Sequence, residues 1–188
     1  MKSSEAIRAN AGAGKVWYLF ITAFVLAVDQ FTKYLVSTRF TEDAPGTDVI
    51  PGFFKISYTE NPGIAFGMLN QDNVRWLLVV VSVVAILVVV YYMMRAATSS
   101  KLLLLSLALL AAGIAGNLID RIRLGRVIDF IELYYKSFHW PVFNVADTAI
   151  TIGAALMAIE LFIAPRSEKA TAPEGGESSV VETMNDER

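Results

Sequence analysis

Two stretches of the sequence consist almost entirely of apolar residues. Trp76–Met94 is 19 residues long and Leu102–Ile119 is 18 residues long, and neither contains a charged side chain. An α-helix of about 20 apolar residues crosses the roughly 30 Å hydrocarbon layer of a bilayer. Both stretches therefore predict transmembrane helices.

Two further apolar stretches are interrupted by a few polar residues. Val16–Val28 is free of charge, and the apolar pattern resumes after Asp29 and Lys33. Thr148–Ile159 is followed by Glu160 and more apolar residues. Each stretch reaches spanning length if these polar side chains lie inside or at the edge of the membrane. The sequence therefore predicts four spans. The first is not a cleaved signal peptide, because no small-residue cleavage site occurs before Asp29 and the apolar pattern continues beyond it.

The longer segments between the spans contain candidate secondary structure of their own. Residues 53–59 are aromatic and β-branched and lie between a Pro-Gly pair and an Asn-Pro-Gly turn, so they predict a short sheet or ribbon. Ile128–Phe138 is interpreted as a short amphipathic helix lying on the membrane.

The chain divides into three parts: a cytoplasmic N-terminal segment (1–15), a four-helix membrane domain (16–164) and a disordered acidic cytoplasmic tail (165–188). With both termini inside, eight Lys and Arg residues are cytoplasmic and seven are outside. This small difference means that the orientation rests mainly on the first span and on the tight turn between Arg95 and Lys101.

Composition narrows the chemistry that is available. Hydrophobic residues make up 55% of the chain and charged residues 18%, against roughly 45–50% and 25% in a soluble domain. Without the tail the chain holds 13 basic and 12 acidic residues, so no basic field is present to bind nucleic acid. The absence of cysteine and the single histidine exclude thiolate catalysis, zinc–thiolate sites and multi-histidine metal sites. Carboxylates and hydroxyls remain for hydrolysis, and we expect no metal or cofactor.

Topology collects the candidate polar residues at one membrane face. Spans three and four are consecutive, so Asp129, which follows span three, lies at the same face as Asp147, which opens span four. The loop with Asn61 and Gly63 joins spans one and two at that face, and Lys33 is near the outer end of span one. The sequence therefore predicts that these polar residues, each embedded in apolar sequence, lie close together at one face of the membrane.

Each of these residues also has a structural interpretation. Asp147 is a good N-cap for span four, and Asp129 could cap the short helix predicted nearby. Asn144 could be an alternative cap or a turn residue. Asn61 precedes a proline and suits a turn, and Gly63 is first of all a backbone-permissive position.

Polar residues inside the spans need partners. Asp29 lies well inside the first span, and Lys33 follows one turn later on the same face, so the two could form an ion pair. Asn117, near the end of span three, needs a partner on another helix. Arg121 could extend toward the interface.

Three hypotheses follow. If Asp129 and Asp147 meet in a region of low dielectric constant, they share a proton, and one activates a water while the other polarises a carbonyl. A transporter or channel subunit would instead use Asp29 and Lys33 as an ion relay, although the lack of an inverted repeat counts against it. A structural scaffold predicts that Asp129→Asn costs only about 1 kcal/mol of capping energy.

Five short motifs occur in order at the ends of the spans. They are Asp29-Gln-Phe-Thr-Lys33, Asn61-Pro-Gly-Ile-Ala-Phe-Gly67, Gly116-Asn-Leu-Ile-Asp-Arg121, Val127-Ile-Asp129-Phe-Ile and Phe143-Asn-Val-Ala-Asp147. Together they resemble bacterial lipoprotein signal peptidase (signal peptidase II) over nearly all of residues 16–164. The resemblance covers neither the first 15 residues nor the acidic tail.

The resemblance implies a membrane aspartyl endopeptidase of all-α membrane fold, with four transmembrane helices, a small extracytoplasmic β-cradle and a mobile amphipathic segment over the active site. It would cut diacylglyceryl-modified prolipoproteins N-terminal to the lipidated cysteine. It would act in the bacterial cytoplasmic (inner) membrane, with its site near the outer face. The implied partners are membrane lipid and inhibitors of the globomycin type, and one chain need not associate because it carries both aspartates.

Carried over residue by residue, the resemblance implies that Asp129 and Asp147 form the catalytic dyad, with Asp147 favoured as the base. The implied substrate-binding or supporting residues are Asp29, Lys33, Asn61, Gly63, Asn117, Arg121 and Asn144.

Overall fold

The computed structural model of the chain describes residues 2–63, 71–96 and 100–163, with side chains for 15–63, 73–96 and 100–163. The tail predicted at 165–188 lies outside these residues, as do the last four residues of the motif that begins at Asn61. In chain order the elements are α1 (Lys2–Arg39), β1 (Thr47–Ile50), β2 (Phe54–Asn61), α2 (Gln71–Arg95), α3 (Lys101–Arg123), β3 (Val127–Tyr135), β4 (Phe138–His139) and α4 (Val145–Ile163).

The helices confirm the four predicted spans. All four contain a segment long and apolar enough to cross a membrane: Lys15–Arg39, Asn73–Arg95, Lys101–Arg123 and Val145–Ile163. Several boundaries differ from the predicted stretches, with α2 beginning at Gln71 rather than Trp76 and α3 ending at Arg123 rather than Ile119. The first helix begins at Lys2, so part of the predicted N-terminal segment continues the same helix, and the last begins at Val145.

Small residues bring α3 and α4 into close contact. The helix α3 packs against each of the other three helices. A Cβ at Gly113 would collide with the backbone oxygen of Ala146, and a Cβ at Gly153 would lie 2.9 Å from the backbone oxygen of Ser106. Close backbone approach of this kind is typical of helix packing in membranes. It fixes the start of α4 beside the last turns of α3.

A four-stranded antiparallel sheet lies at the end of the bundle where α1 and α3 end and α4 begins. The strand order is β1-β2-β3-β4, so β2 confirms the sheet predicted at residues 53–59. Ile128 and Phe130 of β3 form a buried cluster with Val36 near the end of α1. This cluster anchors the sheet to the helices.

The amphipathic helix predicted at Ile128–Phe138 is wrong: this segment forms β3, the turn after it and β4. Its β-branched and aromatic residues suit a pleated strand. The strand β3 is hydrogen-bonded to β2 on one side, and Phe143 bridges to Ile131 on the other. The β2 partner is distant in sequence, Phe143 follows the turn after β3, and the backbone bonds that both supply override the local helical pattern. No helix lies between α3 and α4, where every residue is described.

An irregularity in β2 adjusts the sheet next to the candidate site. Ile56 pairs with Ile131 and Thr59 pairs with Asp129, so Ser57 and Tyr58 together oppose the single residue Phe130. Such a bulge bends the strand and increases its twist. Thr59 is thereby placed directly opposite Asp129.

Candidate active site

Asp129 is the third residue of β3 and is buried, with 3% of its surface exposed. Its carboxyl accepts two hydrogen bonds from amide side chains. Asn61 Nδ2 donates to Oδ2 at 3.0 Å, and Asn144 Nδ2 donates to Oδ1 at 2.7 Å. An acid in this apolar strand is therefore held by donors from β2 and from the segment before α4.

The turn after β2 orients the side chain of Asn61. The backbone N–H of Gly63 donates to Asn61 Oδ1 at 2.8 Å, which leaves the amide nitrogen directed at Asp129. Gly63 has a φ of +77°, and a Cβ there would lie 2.5 Å from Leu78 Cδ1. The backbone conformation favours glycine at this position, and a larger residue would also have to displace the Leu78 side chain.

Asp147 lies in the first turn of α4, where it forms a reciprocal capping pair with Asn144. The backbone N–H of Asp147 donates to Asn144 Oδ1 at 2.9 Å, and the N–H of Asn144 donates to Asp147 Oδ2 at 3.2 Å. This arrangement is a capping box. The N-cap is thus Asn144 rather than Asp147, because the helix begins three residues earlier than the apolar run suggests.

Asn144 connects the two carboxyl groups that the topology predicts at one face. Its side-chain amide donates to Asp129, while its backbone N–H donates to Asp147. The residue is itself fully buried, and its contact with Asp129 is buried as well. Asp129 and Asp147 are therefore brought together around one shared neighbour.

Asn117 supplies the second hydrogen bond to Asp147. Its Nδ2 donates to Asp147 Oδ1 at 2.7 Å. Its Oδ1 accepts from Lys33 Nζ at 3.1 Å and from Asn144 Nδ2 at 3.2 Å. The partner on another helix that the sequence predicts for Asn117 is present, and it is the carboxyl group of Asp147.

A buried cluster of charges lies behind Asn117. Lys33 Nζ is 2.9 Å from Asp29 Oδ2 and 2.7 Å from Asp120 Oδ2, and all three residues are buried. The other oxygen of Asp29 accepts the backbone N–H of Ala146 at 2.8 Å. The ion pair predicted between Asp29 and Lys33 therefore forms, and it also satisfies a free N–H at the start of α4.

The sequence interpretation omitted Asp120, Gln30 and Gly116 from the site. Gln30 Nε2 lies 3.1 Å from Asp29 Oδ2 and 3.1 Å from Asp120 Oδ1. A Cβ at Gly116 would lie 2.5 Å from Asp29 Oδ2. The available signal was Asp120 itself, an acid at the end of an apolar run, which needs a partner when buried.

Arg121 borders the site without joining this network. Its Nη1 lies 3.4 Å from the backbone oxygen of Asn117, in its own helix. The end of α3 is instead secured by Arg75 of α2, which donates to the backbone oxygens of Arg121 at 2.9 Å and Ile122 at 2.8 Å. Arg75 thus pairs with the Ile122 carbonyl and adds a second donor to the Arg121 carbonyl, which also accepts the N–H of Gly125 at 3.1 Å.

The two carboxyl groups differ in their surroundings. Burial and, less strongly, the charge of Asp147 raise the pKa of Asp129 to about 6, while hydrogen bonds from Asn61 and Asn144 and the charge of Lys33 oppose the rise. Asp147 is only partly buried. Two adjacent carboxyls in unequal environments can serve as an acid and a base.

Among the residues that the structure describes, no three His, Cys, Asp or Glu side chains form a group that could hold a metal ion. The expectation that the protein needs no metal or cofactor stays a prediction.

Comparison with known proteins gives consistent matches over most of the chain. The family model described as signal peptidase (SPase) II matches residues 21–163. A lipoprotein signal peptidase of Solibacter usitatus is 39% identical over 153 residues, covering 80% of this chain and 92% of that protein. One from Geobacter metallireducens is 43% identical over 145 residues, covering 77% and 89%. A solved bacterial membrane enzyme, 31% identical, covers 84% of this chain and 94% of its own, with a TM-score of 0.71. The chain therefore belongs to the signal peptidase (SPase) II family of membrane-bound aspartic peptidases.

Proposed function

We propose that this protein removes the signal peptide from diacylglyceryl-modified prolipoproteins by hydrolysing the peptide bond N-terminal to the lipidated cysteine. Asp129 and Asp147 are the catalytic pair in this proposal. Family membership and relatives described as lipoprotein signal peptidases support the substrate class. The observation that carries the assignment of the pair is the contact of Asn144 with both carboxyl groups.

In the first step the two aspartates have different roles. Asp147 acts as the general base and takes a proton from a water, whose oxygen attacks the scissile carbonyl carbon. Asp129 acts in its protonated form, which burial favours by raising its pKa to about 6, and passes this proton to the carbonyl oxygen as the tetrahedral intermediate forms. The less exposed carboxyl is the acid and the more accessible one is the base.

In the second step the intermediate collapses. Its hydroxyl returns a proton to Asp129, the carbon–nitrogen bond breaks, and Asp147 gives its proton to the amine of the departing cysteine residue. Both aspartates are then in their starting protonation states. The signal peptide leaves with a new carboxyl terminus.

The remaining site residues hold the pair in position. Asn61 and Asn144 fix the carboxyl of Asp129, and Asn117 fixes that of Asp147. Gly63 orients Asn61, while the Asp29–Lys33 pair supports Asn117 and the start of α4 from behind. Arg121 is assigned to contact with the substrate, since its guanidinium donates to no carboxylate among the described residues.

We further infer that the protein is a monomeric multi-pass enzyme of the bacterial inner membrane, with both termini in the cytoplasm and the site near the outer face. Residues 16–164 are the peptidase domain, and 1–15 and 165–188 are cytoplasmic. The sheet and both aspartates lie at one end of the bundle, while Arg95 and Lys101 lie at the other, as the positive-inside rule requires. Inhibitors of the globomycin type are expected to occupy the site.

The test is cleavage of a diacylglyceryl-modified prolipoprotein by purified protein in detergent. Asp129→Asn and Asp147→Asn should each lower turnover by about 10²–10⁴-fold, the usual contribution of a general acid or base. Glu160→Gln, a carboxyl change near the far end of α4, is the matched control and should retain activity. Melting curves show whether each variant is folded, and chelators should leave turnover unchanged.

If either folded asparagine variant cuts at a rate near that of the wild type, the two-aspartate mechanism is wrong. The Asp29–Lys33 relay would then be the group to test.

A further inference from the structure

A groove of about 370 Å³ begins at Asp147 and runs along α4. One wall is the segment 140–143, which precedes the helix. The other is the α4 surface formed by Asp147, Thr148, Thr151 and Ile152. The groove therefore joins one of the two proposed catalytic carboxyls to the outer surface of a spanning helix.

Beyond Asp147, which contacts Asn117 of α3, the groove lies on a more exposed face of α4 than the face packed on α3. The helix buries Ala146, Ala149 and Gly153, and Gly153 contacts Leu110 of α3. On the groove side Ile152 is 47% exposed. Because α4 is a candidate membrane span, this side of the helix meets the hydrocarbon of the bilayer.

Beyond the carboxyl of Asp147, the α4 wall of the groove offers no free hydroxyl donor to a polar ligand. Thr148 Oγ1 donates to the backbone oxygen of Asn144 at 3.0 Å, and Thr151 Oγ1 donates to that of Asp147 at 2.8 Å. Both hydroxyl hydrogens are therefore used within the helix. Their methyl groups remain for contact with an apolar ligand.

On the opposite wall two backbone donors are already paired, and the N–H groups of Val142 and of the Trp140 indole remain. The backbone N–H of Trp140 donates to Leu133 at 2.8 Å and that of Phe143 donates to Ile131 at 3.1 Å, while Pro141 has no N–H. A peptide strand in the groove would find few donors for its carbonyls, and unpaired polar groups are costly when buried. A hydrocarbon chain has no such requirement.

We propose that this groove holds one acyl chain of the diacylglyceryl group of the substrate. The proposal rests on the proposed function, in which the lipid is attached to the cysteine next to the scissile bond. When that bond is at Asp147, the acyl chains begin only a few bonds away and must return to the bilayer. The groove provides a continuous apolar path from Asp147 to the lipid side of Ile152.

The first experiment fills the groove and varies the acyl chains. Two substrates share one peptide and carry either long or short acyl chains. Thr151→Phe should raise KM for the long-chain substrate about tenfold, which corresponds to displacing roughly two buried methylenes. KM for the short-chain substrate should change little. Ala158→Phe, an exposed change on the same helix outside the groove, should leave both values unchanged.

The outcomes separate this proposal from the proposed function. An equal effect of Thr151→Phe on both substrates would overturn the acyl site and point to binding of the signal peptide instead. If the wild-type protein cuts neither substrate, the proposed function itself fails. Melting curves identify a variant that is misfolded, and the second experiment requires no change in the groove.

The second experiment labels the groove directly. The full-length Asp129→Asn variant, which binds without cutting, is mixed with substrate carrying a photoreactive group on one acyl chain. Crosslinks should map to segments 140–143 and 148–152. Crosslinks elsewhere in the chain, or equal labelling of these segments by a phospholipid with the same photoreactive chain, would overturn the proposal.

Discussion

The side-chain amide nitrogen of Asn144 donates to Oδ1 of Asp129 at 2.7 Å, which is shorter than the bond from Asn61 to the same carboxyl. The same side chain caps α4 through its oxygen, which accepts the N–H of Asp147. One residue therefore starts a membrane helix with one side-chain atom and holds a buried carboxyl with another. The two roles can be separated by substitution because they use different atoms.

Asn144→Ser should keep the cap and lose the amide donor, whereas Asn144→Ala should lose both. We expect the alanine variant to be less stable by about 1 kcal/mol or more, and both variants to lose at least roughly tenfold in kcat. Melting curves and turnover on the same samples provide the comparison. Equal activity of the serine variant and wild type would show that the amide contact with Asp129 is not needed.

The pH dependence of activity should report the proton on Asp129. Since the proposed acid must be protonated, kcat/KM should fall as the pH rises through about 6, the pKa to which burial raises this group. The hydrogen bond from Asn61 favours the ionised form. Its loss in Asn61→Ala should raise the pKa further and move the descending limb to higher pH.

Asn61→Asp adds a negative charge at the same place and should move that limb further in the same direction. A limb that stays fixed in both variants would assign the titration to another group.

Removing the cation from the buried charge cluster should be severe. Lys33→Met leaves Asp29 and Asp120 buried without their shared partner, and breaking such a pair costs about 3–5 kcal/mol. Lys55→Met is the matched control, because Lys55 lies 3.8 Å from Glu132 in a partly exposed pair that is worth less than about 1 kcal/mol. Denaturation of both variants measures the difference. Similar losses would mean that the cluster is hydrated.

Gly116→Ala should disturb the same cluster by crowding. The added methyl would lie 2.5 Å from Asp29 Oδ2 and 3.1 Å from Ala146 Cβ, and overpacking of this kind costs about 1–3 kcal/mol. Because Asp29 binds the N–H of Ala146, activity should fall as well. Ala154→Val, on an exposed position of α4, should be tolerated. Normal stability of Gly116→Ala would indicate that Asp29 can move.

The four spans and the location of the site follow from the sequence because both depend on local polarity. A run of apolar residues needs no partner to be recognised, and polar residues at the ends of successive spans must share a face. Asp129, Asp147, Asn61 and Lys33 were placed together on this basis, and the hydrogen-bond network joins them.

The parts that the sequence could not supply depend on distant contacts. The sequence predicts a helix where β3 forms, because the main partner of this strand, β2, is remote in sequence. The apolar run predicts a late start for α4 because Val145 and Ala146, which form the first turn, carry no polar signal of their own. The sequence shows that Asp120 needs a partner, but only the fold identifies that partner as Lys33.

The extra residue in β2 affects the bend of the sheet but not the pairing of the residues on either side of it. If Ser57 were deleted, Phe54 could still oppose Leu133 and Asn61 could still oppose Val127, now in one unbroken register. Only the local bend and twist would be lost. One residue more or less in β2 at this position can therefore change the bend of the sheet beside Asp129, while the pairing of the flanking residues with β3 is kept.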